Sequence, residues 1–183
     1  MKKQLFFLHS GGPQGKHEGS GELVAWLEAQ LGPEYELRHP IMPHPEAPDY
    51  EAWKPHLREA LSRLHDGAQL IGHSLGGSLL LKYLAEEKIS FSIGTLFLVS
   101  APFWGGDEDW QHPAFQLPAD FPKTMPPIPK IFLYHSKNDP IVSVTHLAMY
   151  KAKFPQSTVR ELDGNEHVFD KGLPELFRDI QKA

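Results

Sequence analysis

Short apolar runs alternate along the chain with longer segments in which apolar residues recur every three or four positions. The short runs predict strands at 5–8, 35–39, 68–71, 95–100, 130–135 and 157–162. The periodic segments predict helices at 20–31, 49–64, 76–87, 143–154 and 174–181, with Ser20 as a candidate cap of the first. This alternation is typical of an α/β fold, a single domain over residues 1–183 with about six mostly parallel strands and helices on both faces of the sheet.

One long segment, residues 101–129, departs from this pattern. It is rich in proline and aromatic residues and has no clear period. We expect it to be a lid-like excursion from the domain, because irregular segments of this length are usually functional. Phe103 and Trp104 lie nearest the end of the preceding strand, so they are the candidate substrate-binding side chains.

The motif Gly72-His73-Ser74-Leu75-Gly76 has the form G-x-S-x-G. By chance alone this pattern would occur in roughly one chain of this length in twenty, so its context decides its meaning. It lies between a predicted strand and a predicted helix, which is the setting of a nucleophile elbow. We therefore predict that Ser74 is a catalytic nucleophile; the alternative is a glycine-rich turn in which Ser74 only caps a helix.

A serine hydroxyl needs a neighbouring base, because it is a weak nucleophile until its proton is removed. His167 follows the last predicted strand, and the carboxyl ends of parallel strands share one edge of the sheet with Ser74. The other downstream histidines are His112, His135 and His146; His135 lies too close to the candidate acid, and His146 falls within a helix. His167 is therefore the predicted base.

An acid is needed to orient that base. Asp139 lies in Asn138-Asp139-Pro140, just after the strand predicted at 130–135, and falls at the same edge of the sheet. A carboxylate there can accept a hydrogen bond from one ring nitrogen of His167 and fix its tautomer. Asp163 is the alternative acid, and a plain turn before Pro140 is the alternative role for Asp139.

Acyl transfer also needs two N–H donors for the oxyanion. The N–H of Leu75, directly after the nucleophile, is the first candidate. The second should come from the loop after the first strand, where we choose the N–H of Gly11 and leave Ser10 and Gly12 open.

Composition narrows the classes of function. The 183 residues are 40% hydrophobic and 22% charged, with a net charge of −5, so neither nucleic acid nor a membrane is an expected partner. The lack of cysteine excludes disulfides, thiolate zinc sites and a cysteine nucleophile, and it suits a cytoplasmic location. The 11 histidines are scattered without metal-ligand spacing, and no G-x-G-x-x-G follows a strand. We expect no metal and no other cofactor; the oligomeric state is left open.

With these residues in place, the chain resembles the α/β-hydrolase superfamily over nearly its whole length. Its size and strand number are similar to the compact serine-hydrolase branch that includes retinoblastoma-binding protein nine. The matching motifs are Leu8-His9-Ser10-Gly11, Gly72-His73-Ser74-Leu75-Gly76-Gly77, Leu98-Val99-Ser100-Ala101-Pro102, Asn138-Asp139-Pro140-Ile141-Val142 and Asp163-Gly164-Asn165-Glu166-His167. The common His-Gly after the first strand is His9-Ser10 here, which leaves the oxyanion donor open.

The resemblance implies a triad of Ser74, Asp139 and His167 that hydrolyses small carboxylic esters through an acyl-enzyme. A peptidase or amidase with the same triad is the nearest alternative. A protein-binding module with an unused triad is an alternative of a different class, because fold does not determine function.

Overall fold

A six-stranded parallel sheet forms the centre of the computed structural model, which describes residues 2–183. The strands are β1 (Lys3–Leu8), β2 (Tyr35–Arg38), β3 (Ala68–His73), β4 (Ile93–Val99), β5 (Lys130–Ser136) and β6 (Thr158–Leu162). Their spatial order is β2-β1-β3-β4-β5-β6, and every neighbouring pair is parallel. The predicted sheet is thus confirmed. β3 and β5 each extend past their apolar runs, to His73 and Ser136.

Helices cover both faces of this sheet, as predicted. The helices are α1 (Gly21–Gln30), α2 (Tyr50–Leu61), α3 (Leu75–Glu86), α4 (Phe121–Thr124), α5 (Thr145–Lys153) and α6 (Pro174–Lys182). Because side chains alternate along a strand, β1 contributes to two cores. Phe6 and Leu8 pack in the core that α2, α3 and α5 cover, and Leu5 and Phe7 pack in the core beneath α1 and α6.

The strand order changes direction between β1 and β3, and this switch locates the site. The chain passes from β1 outward to β2, then returns to β3 on the other side of β1. Loops at the carboxyl ends of strands on either side of such a point diverge and leave a crevice. The loop after β1 and the turn after β3 border this crevice.

The segment 101–129 contains more regular structure than its sequence predicts. It includes a short 3₁₀ helix, Pro113–Phe115, and α4. Pro113 and Pro122 occupy early helical positions, where the missing N–H of proline costs no hydrogen bond. Phe115 and Phe121 are buried in the core that includes α3, so they hold this part of the segment against that helix.

No helix found within residues 2–183 combines the length and apolar character needed to span a membrane.

Candidate active site

Ser74 occupies a strained turn between β3 and α3. Its φ of 51° and ψ of −127° are unusual for a residue with a side chain. Its N–H donates to the carbonyl of Val99 at 2.9 Å, which fixes the turn to the end of β4. Strain of this kind persists only where the surroundings enforce it, and it is common at functional sites.

The glycines of the motif allow three backbone segments to pass unusually close together. A Cβ atom on Gly72 would lie 2.5 Å from the Cα of Gly77. A Cβ atom on Gly76 would lie 2.3 Å from the carbonyl oxygen of His9 and 2.4 Å from that of Leu8. The first contact brings β3 against α3, and the second brings the loop after β1 against the start of α3.

A continuous chain of hydrogen bonds links the three side chains proposed from sequence. Nε2 of His167 lies 3.1 Å from Oγ of Ser74, and Nδ1 of His167 lies 2.8 Å from Oδ2 of Asp139. An ionised carboxylate only accepts, so Nδ1 carries the proton and Nε2 is free to accept the hydroxyl proton of Ser74. The arrangement is that of a serine, a base and an orienting acid.

The acid is held ionised by its surroundings. The Asp139 side chain is fully buried, and burial opposes ionisation, but hydrogen bonds from His167 and from the N–H groups of Val142 and Ile141 outweigh this effect. The pKa of Asp139 therefore lies below its ordinary value. Asp163, the alternative acid, is 92% exposed and bonds to Lys137 at 2.6 Å. The structure brings Asp139, and not Asp163, to His167.

The other downstream histidines take positions away from Ser74. His135 Nε2 lies 2.8 Å from the carbonyl of Val142, so it supports the loop that carries the acid. His146 Nδ1 accepts a hydrogen bond from the N–H of Phe103, and His112 stacks on an aromatic ring of the 101–129 segment. The structure places only His167 between Ser74 and an acid.

The loop after β1 offers one free N–H among the three that the sequence left open. The N–H of Ser10 donates to Oγ of Ser20 at 3.1 Å, and the N–H of Gly12 donates to the carbonyl of Pro45 at 2.7 Å. The N–H of Gly11 donates to no acceptor within residues 2–183.

Gly11 lies next to Leu75 in space. A Cβ atom on Gly11 would lie 3.0 Å from Cδ2 of Leu75 and 3.7 Å from its Cβ. Leu75 is the first residue of α3, and its N–H likewise has no acceptor in the described part of the chain. The two candidate donors thus come from neighbouring residues beside Ser74.

Ser20 makes contacts that its sequence position does not predict. The pattern predicts that its side chain caps α1, but it makes no capping hydrogen bond. Instead its Oγ bonds to Nδ1 of His9 at 2.9 Å as well as to the N–H of Ser10. A side chain before α1 therefore holds the start of the loop that carries Gly11, a contact between segments that no local pattern indicates.

A cavity of about 500 Å³ adjoins Asp139 and reaches the 101–129 segment. Trp104 lines it together with Trp110 and Ile141. Phe103 does not line it: its ring centroid lies 5.0 Å from that of Tyr150, and the partly buried ring packs against the core beneath the segment. The expectation that both residues bind substrate stays a prediction.

In residues 2–183, no three histidine, aspartate or glutamate side chains are grouped closely enough to hold a metal ion.

The sheet, the strained serine and the hydrogen-bonded histidine and aspartate define a protein of the α/β-hydrolase superfamily. A sequence model of the family described as serine hydrolase matches residues 20–174. The chain belongs to this serine hydrolase family. No curated protein sequence matches it, and the narrower likeness to the branch of retinoblastoma-binding protein nine stays a prediction.

Solved structures show the same fold at low sequence identity. The ydeN gene product from B. subtilis has a TM-score of 0.79 and 20% identity, covering 99% of this chain and 98% of its own. Esterase PE8 has a TM-score of 0.73 and 15% identity, covering 99% and 92%. The methylesterase MES16 from Arabidopsis has a TM-score of 0.63 and 16% identity, covering 98% of both chains.

Proposed function

We propose that this serine hydrolase cleaves carboxylic esters of small molecules through an acyl-enzyme formed on Ser74. The observation that carries the proposal is the hydrogen-bonded chain from Ser74 through His167 to Asp139, beside two N–H groups without acceptors. Acyl transfer needs a nucleophile, a base, an acid that orients the base, and N–H donors for the oxyanion, and this group of residues offers a candidate for each.

In the acylation step, Oγ of Ser74 attacks the ester carbonyl carbon while Nε2 of His167 takes the hydroxyl proton. The carbonyl oxygen becomes an oxyanion, which accepts hydrogen bonds from the N–H groups of Leu75 and Gly11. The intermediate then expels the alcohol, which leaves with the proton from Nε2. The acyl group stays bound to Oγ.

Deacylation repeats these steps with water. Nε2 of His167 removes a proton from the water as its oxygen attacks the acyl carbon, and the same proton then returns to Oγ as the acid departs. Throughout both steps the carboxylate of Asp139 accepts from Nδ1, so it holds the ring in one tautomer and stabilises the imidazolium.

The proposed substrate class rests on the cavity beside Asp139. Trp104 and Ile141 give it an apolar wall, and the charged residues Asp107, Asp109 and Lys137 also line it. We propose that residues 101–129 act as a partial lid over small, uncharged acyl groups. The names of two structural neighbours, an esterase and a methylesterase, support esters over amides.

The test measures hydrolysis of an ester, a thioester and an amide with the same short acyl group, by wild type and Ser74→Ala. We expect the ester to be turned over, and kcat to fall on the order of a million-fold in Ser74→Ala. Faster amide than ester cleavage would replace the proposal with an amidase. Turnover that survives Ser74→Ala, or no turnover of any of the three, would contradict it.

A further inference from the structure

His73, the residue before the nucleophile, is fully buried and lies beside the base. Its ring centroid is 5.3 Å from that of His167 and 6.3 Å from that of Phe169. The G-x-S-x-G pattern leaves this position unspecified, and the steps proposed above give it no task.

His73 donates a hydrogen bond to the main chain of the base itself. Its Nε2 lies 2.7 Å from the carbonyl oxygen of His167, and a carbonyl only accepts, so Nε2 carries the proton. Its Nδ1 is buried without a hydrogen-bond partner in the described residues, as suits the unprotonated nitrogen of a neutral ring. Burial lowers the pKa of His73 to about 3, so the ring stays neutral and the donor stays in place over the working pH range of most hydrolases.

The loop that carries His167 has little other support. Within residues 2–183, this bond is the only hydrogen bond made by the main chain of residues 165–168. The loop is also irregular on both sides, with a φ of 121° at Gly164 and 54° at Phe169. A loop with so few backbone bonds depends strongly on each one.

We propose that His73 is a positioning residue that holds the carbonyl of His167, and so keeps Nε2 of His167 against Oγ of Ser74. His73 directly precedes Ser74 in the chain, and the acceptor is the carbonyl of His167. The hydrogen bond therefore fixes the nucleophile and the base relative to each other. The inference rests on the proposed function. A displacement of a reacting group by about 1 Å can lower the rate about a hundredfold.

The test compares two substitutions of His73. His73→Gln retains an N–H donor at a similar reach, whereas His73→Met fills similar space without a donor. The control is Gln69→Met, which removes another buried bond from a β3 side chain to a carbonyl, that of Ile180 at 3.3 Å, far from Ser74. All variants are checked for folding by urea unfolding.

We expect His73→Met to lower kcat for an ester by about 10- to 100-fold with KM little changed, and His73→Gln to recover most of the loss. Gln69→Met should lose stability but keep kcat. Wild-type kcat in His73→Met, or equal losses in both His73 variants, would overturn the proposal.

Hydrogen exchange gives a second readout that does not depend on catalysis. In His73→Met, the amides of Asn138 and Gly172, which donate to the carbonyls of Gly164 and Phe169 at the two ends of the loop, should exchange faster than in wild type. In Gln69→Met the exchange of these two amides should not change. Unchanged exchange in His73→Met would overturn the proposal that His73 holds the loop. If wild type hydrolyses no ester but exchange rises in His73→Met, the proposed function has failed, while the role of His73 in holding the loop is supported.

Discussion

Gly76→Ala is the substitution that best tests how the oxyanion site is built. The added Cβ would lie 2.3 Å from the carbonyl oxygen of His9 and 2.4 Å from that of Leu8. Ordinary contact begins at 3.4 Å, so helix α3 and the loop after β1 must separate by about 1 Å. Both neighbours are backbone atoms, and neither can rotate away.

This displacement would act on the reaction through Gly11, two residues beyond His9. A shift of about 1 Å moves the Gly11 N–H out of hydrogen-bond reach of the oxyanion. Loss of one such donor costs about 100- to 1000-fold in kcat, with a smaller effect on KM. Overpacking at the contact should also lower the free energy of unfolding by about 1–3 kcal/mol.

Gly32→Ala is the matched control. Its Cβ would also meet an oxygen at 2.2 Å, but that oxygen is Oε2 at the flexible end of the exposed Glu34 side chain. The control should keep wild-type kcat and change stability by less than about 1 kcal/mol. The assay is steady-state ester hydrolysis together with urea unfolding. Wild-type kcat in Gly76→Ala would refute the reasoning that places the second donor on this loop.

Three further predictions concern the acid and the cavity. Asp139→Asn should lower kcat about ten-thousand-fold by favouring the wrong tautomer of His167, while Asp163→Asn stays near wild type; the reverse would move the acid to Asp163. Because the pKa of Asp139 is lowered, wild type should be more stable than Asp139→Asn at neutral pH, and urea unfolding should show the difference shrinking as pH falls through that lowered pKa. A difference independent of pH would contradict this. Esters of increasing acyl length should stop gaining kcat/KM beyond medium chains, and Trp104→Ala should alter this dependence. Each well-buried methylene contributes up to about 0.8 kcal/mol, so a steady rise that Trp104→Ala leaves unchanged would indicate a deep tunnel elsewhere.

The sheet and the positions of Ser74, Asp139 and His167 follow from local patterns. Parallel strands are buried on both faces and therefore read as apolar runs. Their carboxyl ends share one edge, so residues just after β3, β5 and β6 must gather there. The motif and the chain order favour Ser74, Asp139 and His167, and the structure separates Asp139 from the alternative acid Asp163.

The supports of the site were not predictable in the same way, because they join residues distant in sequence. The contact of His73 with His167 spans 94 positions, and that of Ser20 with His9 depends on how the loop folds before α1. The choice among the N–H groups of the first loop likewise required knowing which of them already had acceptors. Phe103 and Trp104 looked equivalent in sequence, yet only Trp104 lines the cavity.

The central claim is that Ser74 forms a covalent bond during the reaction. The direct measurement is to treat the chain with a serine-directed fluorophosphonate, digest it, and locate the label by mass spectrometry. We predict a single label on Ser74 that is lost in Ser74→Ala, while Ser10 and Ser143, which also lie in the site loops, stay unlabelled. A label on another serine, or no label in a preparation that hydrolyses esters, would contradict the account.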